Sequence, residues 1–130
     1  MIFPYKKISP LKYGPIVPVA LRGLSRWIPF NVFVDSGADY SVFHSDVASL
    51  LGFELTSGIK KIVTVGDGDE MTTYLHRVRV HFAHIFIEAP IAFSSGLGAG
   101  FNLMGREAFF EKFRVCFNDR DKFVSVTRLF

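Results

Sequence analysis

The chain has 130 residues, 49% of them apolar, and 15 Lys and Arg against 12 Asp and Glu give a net charge of +3. That length supports one hydrophobic core and is too short for two lobes. The basic residues are dispersed as Lys6-Lys7, Lys60-Lys61 and Arg77/Arg79 without aromatic interleaving, which speaks against nucleic acid as a partner.

Residues 1–15 contain Pro4, Pro10 and Pro15, which cannot donate to a ladder, so they are expected as an irregular arm or edge strand able to reach a neighbouring subunit. Residues 16–130 are then the domain proper. Residues 16–23 and 27–34 read as strands joined by a turn at Gly23-Leu24-Ser25-Arg26. The second strand ends in Asp35-Ser36-Gly37, whose turn chemistry precedes another short strand, Ser41-Val42-Phe43. Asp35 is thereby expected at a turn facing a cleft. Residues 45–52 have a capping Ser, apolar positions at helical spacing and a terminal Gly, which predicts a short helix.

A long hairpin follows: a strand over 59–65, the turn Gly66-Asp67-Gly68-Asp69, and a strand over 71–82 with Val78, Val80 and Phe82 on one face. A further strand over 85–93 ends in the glycine-rich loop 94–100. That loop lacks the order strand, Gly-x-Gly-x-x-Gly, helix that a dinucleotide site requires. Residues 101–104 form a strand, 107–113 a helix with Phe109, Phe110 and Phe113 on one side, and 114–117 with 123–126 a hairpin across Asn118-Asp119-Arg120-Asp121.

Taken singly, these residues carry little chemistry. A bare Asp-Ser-Gly is most often an Asx-type turn. Asp67 and Asp69 lack the further ligands of a calcium loop, and His81 and His84 lie three apart on a strand, where they point to opposite faces. No metal and no cofactor is expected. Cys116, on an apolar strand without an activating base, is expected as a small buried residue, and no Gly-x-Ser-x-Gly elbow supports serine chemistry.

In combination, Asp35-Ser36-Gly37-Ala38 behind an apolar strand and Leu103-Met104-Gly105-Arg106 late in the chain resemble the aspartic peptidases, in particular the single-domain, retropepsin-like members. The order is similar too, with a glycine-bearing flap hairpin between the motifs and a short helix after the second. The resemblance spans about residues 16–128, and the pairing of the motifs is its most specific element. It implies an all-β, closed or orthogonal barrel-like domain with a flap hairpin and one or two short helices. It also implies that Asp35 is catalytic, that Ser36, Gly37 and Ala38 support its loop, and that Gly66, Asp67, Gly68 and Asp69 form the flap tip over substrate. Asp39 and Arg106 match family positions expected to pair near a dimer interface. Acidic residues at the flap tip depart from the apolar flaps of the viral enzymes.

Carboxylate-only peptide hydrolysis needs two carboxylates sharing one proton, and this chain has one Asp-Ser/Thr-Gly. The resemblance therefore implies a homodimer with Asp35 from each chain, acting as an endopeptidase on extended, largely apolar peptide or protein segments. The rival is a catalytically inactive dimeric module that binds an extended peptide or partner protein in the same cleft. Fifteen Phe also favour self-association. The single cysteine excludes an internal disulfide and fits a reducing compartment, and neither a signal peptide nor a membrane span is read, so a soluble, cytoplasmic protein is expected.

Overall fold

Residues 1–15 fold back on their own chain in the structure, a computed structural model that describes residues 1–64, 68–97 and 100–130. They take the edge-strand alternative. β1 (Ile2–Pro4) pairs antiparallel with the last strand of the chain, Phe123–Arg128, and the short strands β2 (Lys6–Ser9) and β3 (Lys12–Gly14) form a hairpin. The prolines sit at a strand end and in connections, where no ladder donor is needed. Pro15 accepts the Val34 N–H at 2.9 Å, which ties the arm to the strand that leads into Asp35.

Tyr5 anchors this segment. It is buried, its N–H donates to the Lys122 carbonyl at 2.8 Å, and its hydroxyl donates to Asp119 Oδ1 at 2.8 Å. Burial, with the Asp119 carboxylate beside it, pushes the phenol up to about 12 from its ordinary 10.0. The proton is thus held more tightly folded than unfolded, so this stabilisation is complete below pH 10 and is lost as pH rises towards 12. Thermal melts of wild type and Tyr5→Phe across that range are expected to show a steeper alkaline loss in wild type.

β4 (Ile16–Arg22) and β5 (Trp27–Val34) form the expected hairpin, closed by the Gly23 N–H on the Arg26 carbonyl at 2.8 Å. β6 (Ser41–His44) leads into α1 (Ser45–Leu50), followed by β7 (Ile59–Thr64), β8 (Glu70–Phe82) and β9 (Ile85–Ser94). β10 (Asn102–Met104), β11 (Phe113–Asn118) and β12 (Phe123–Arg128) complete the chain. β8 has 13 residues and divides one edge between two partners, with β7 along its first half and β4 at Ala20↔His81 and Leu21↔Val80. Its other edge takes β9, so the strands β4-β5-β10-β6-β9-β8 close into a barrel from which the β7/β8 end projects. β1, β12 and β11 form a separate three-stranded sheet.

Alternation along β4 and β8 puts Val17, Val19, Leu21, Val78, Val80 and Phe82 inside, with Phe43, Phe93, Phe109 and Phe113 among the largest fully buried side chains. Each such residue contributes about 1.5–3 kcal/mol by leaving water. The fold is therefore the all-β, barrel-like one expected, with a short helix.

Local differences have physical causes. Ser45 opens α1 as its first residue but does not cap it, because His44 holds the N-cap position and makes no side-chain bond there. The terminal glycine is as expected: Gly52 has φ +89, and a Cβ there would meet Leu24 Cγ at 2.6 Å. The helix expected over 107–113 is a pair of turns. Ala108 takes φ 67, which interrupts the helical ladder, yet the Phe113 N–H still reaches the Phe109 carbonyl at 2.9 Å and both rings are buried. Cys116 is exposed, not buried, because β11 turns it away from the core side that Phe113 occupies. His84 belongs to a two-residue turn with Ala83 (φ 64 and 50), while His81 stays on β8. Of the expected flap tip, Gly66 and Asp67 lie outside the described residues; Gly68 has the positive φ, +90, that its glycine permits.

Candidate active site

Asp35 follows directly on β5 and is held by its backbone. β10 runs parallel to β5 with Leu103 opposite Phe33 and Met104 opposite Val34, and antiparallel to β6 through Leu103 and Val42. The Met104 carbonyl accepts the Asp35 N–H at 2.9 Å, so the late motif and the early one meet at this residue. Asp35 then turns the chain: its carbonyl accepts the Ala38 N–H at 3.2 Å and its Oδ1 accepts the Gly37 N–H at 2.9 Å. This is the Asx-type turn, and it aims a half-buried carboxylate into a cleft. Ser36 and Gly37 are exposed and Ala38 is half-buried.

Gly105 locks the second motif against the first. Its N–H donates to Ser41 Oγ at 2.9 Å in a fully buried bond, and a Cβ on it would collide with the Tyr40 carbonyl and lie 2.8 Å from the Ala38 oxygen. Arg106 N–H to Ala38 O and Glu107 N–H to Asp39 O, both 2.8 Å, continue the seam. Ser41, which sequence reading placed only in a strand, is therefore a structural partner of the site. Its signal was a hydroxyl at a position whose neighbours, Val42 and Phe43, are all core.

The cleft has a volume of about 600 Å³. Asp35, Gly37 and Leu103 lie on one side and Ile62, Val63, Thr64 and Met71 of the β7/β8 hairpin on the other. Its lining is mainly apolar. Sequence reading singled out the hairpin tip, but the described lining comes from the strands below it. Asp39, Tyr40 and Lys61 separate this cleft from an adjoining chamber of about 490 Å³, and the Lys61 ammonium lies 5.1 Å over the Tyr40 ring. Arg106 also lines that chamber, but no ion pair joins it to Asp39 within the single chain; both side chains are exposed there and remain hydrated.

Among the described residues no group of His, Cys, Asp and Glu is arranged to hold a metal ion, and no helix is long and apolar enough to cross a membrane.

No family model and no curated protein matches the sequence. Solved structures do match. The chain is similar to a retropepsin-like aspartic protease from Rickettsia conorii, with a TM-score of 0.69 and 14% identity over 98% of this chain and 97% of that one. It is also similar to EIAV protease complexed with the inhibitor HBY-793, with a TM-score of 0.56 and 20% identity over 77% of this chain and 88% of that one.

Proposed function

We propose, from the retropepsin-like fold that these similarities give the chain, that it is an aspartic endopeptidase active as a homodimer. The observation that carries this reading is Asp35 itself, half-buried at an apolar cleft and fixed by backbone bonds from both family-like motifs. A single carboxylate cannot both activate water and donate a hydrogen bond to the scissile carbonyl. A second copy related by a two-fold axis supplies the partner carboxylate. One Asp35 then takes a proton from water while the other, protonated, donates to the carbonyl oxygen, giving a tetrahedral diol. Collapse of that diol expels the amine, which leaves with a proton from the dyad.

Within this reading Ser36 and Gly37 support the paired loops, and the β7/β8 hairpin, with Gly68 and Asp69, covers the substrate as a flap. Residues 1–15 contribute to the dimer interface, as does Arg106, which lines the adjoining chamber with Asp39.

Dilution tests the dimer. Specific activity is expected to fall in parallel with the dimer fraction measured by sedimentation. Full turnover by a monomer would exclude the mechanism. Arg106→Ala should shift the same curve to higher protein concentration without lowering the melting temperature of the fold. If the curve does not move, Arg106 is an ordinary solvated charge worth about 0–1 kcal/mol.

A further inference from the structure

We propose that the outer barrel face around Trp27 is a docking surface for an acidic, aromatic- or aliphatic-containing peptide segment, which in the peptidase reading is a remote part of the substrate. Trp27 begins β5, opposite Arg22 in register. The Arg22 and Arg79 guanidinium carbons each lie 5.8 Å from its ring centroid, and the exposed Phe86 ring lies 5.4 Å away. His81 stacks on Phe86 at 4.4 Å. Phe86 is 64% exposed, so one aromatic ring faces water on a strand whose alternate residues are core. In the sequence these cations had no aromatic neighbours, and the β4–β8 closure of the barrel is what interleaves them.

The charge on this face is unbalanced. Glu88 accepts from Arg77 at 2.6 Å and is thereby engaged. Arg22 and Arg79 form no ion pair among the described residues. Lys6, donating to Asn31 Oδ1 at 3.1 Å, adds a cation further along the outer side of β5. Guanidinium forks beside an aromatic ring match carboxylates interspersed with apolar side chains. A nucleic-acid strand fits less well. Phe86 offers one open ring where successive bases need a row.

Trp27 and Asp35 are separated by β5, which places the surface roughly 25 Å from the candidate catalytic carboxylate at about 3.3 Å per residue. A substrate using both sites therefore carries its acidic segment about eight or more residues from the scissile bond. The site adds selectivity without altering the cleft.

The test uses Asp35→Asn protein, so that binding is read without cleavage. A fluorescent peptide alternating Asp with Phe and Leu is titrated by anisotropy, beside a Lys-for-Asp version, an oligothymidylate and phosphatidylserine vesicles. The acidic peptide alone is expected to bind, with affinity lowered by added salt. Arg22→Gln with Arg79→Gln, and separately Phe86→Ser, should each weaken it about tenfold while circular dichroism and melting stay unchanged. No binding of the acidic peptide, binding indifferent to both variants, or tighter binding of the oligonucleotide or vesicles would overturn the proposal. Since the assay needs no hydrolysis, its failure leaves the Asp35 reading intact. Equally, a wild type that cleaves nothing leaves the binding result to stand.

Discussion

Replacing Asp35 by Asn is expected to lower peptide hydrolysis by about a thousandfold or more while fold and dimer persist. The carboxamide oxygen can still accept the Gly37 N–H that Asp35 Oδ1 accepts at 2.9 Å, so the turn keeps its bond. What disappears is the proton exchanged with water and substrate. In wild type the working state holds one proton between two carboxylates. Adding a second proton removes the base, and taking the shared proton away removes the acid, so the rate should fall on both sides of an optimum. A chelator should leave the rate unchanged. So should alkylation, even though Cys116 is exposed and open to the reagent. Turnover of a broad peptide library by both proteins decides the matter: cleavage surviving in purified Asp35→Asn would sink the mechanism. A wild type that cleaves nothing would shift the assignment to the peptide-binding module.

The elements that place Asp35 were legible because they rest on local chemistry. Gly23 to Arg26 offered a turn between two alternating runs, Gly52 a left-handed terminus, and Ser36-Gly37 a break after Val34, and each is found there. The two motifs lie far apart in sequence, and only the resemblance joined them; the structure supplies the bond, Asp35 N–H to Met104 O.

Other features depend on what happens across the sheet, which periodicity does not encode. Phe109 and Phe113 are four apart, a spacing that one turn of helix and the observed turns satisfy equally well; Ala108 in the left-handed region decides between them. Cys116 reads as a buried residue because β11 is apolar, but the strand belongs to a sheet with an open outer face. Asp39 and Arg106 were expected to pair through side chains. The chain joins their segments through backbone bonds and leaves the charges at the rim of a chamber.

Gly105→Ala should be strongly damaging, costing about 3 kcal/mol or more because the obstacle is backbone and cannot rotate away. The added methyl would run into the Tyr40 carbonyl and lie 2.8 Å from the Ala38 oxygen. Relief requires β10 to withdraw, which stretches the buried bond from the Gly105 N–H to Ser41 Oγ and then the bond from the Asp35 N–H to Met104 O. An unfilled donor or acceptor left in that seam adds a penalty of about 1–3 kcal/mol. Activity should therefore fall further than stability, since Asp35 is displaced even in molecules that remain folded. Gly37→Ala is the matched control. Its Cβ would meet only Asp35 Oδ1, at 3.3 Å, on an exposed loop, so the fold should tolerate it while the cleft narrows. Chemical denaturation and turnover measured on both variants test the pair of expectations. If Gly105→Ala melts within a degree or two of Gly37→Ala and keeps comparable turnover, Gly105 does not hold the two motifs together as described.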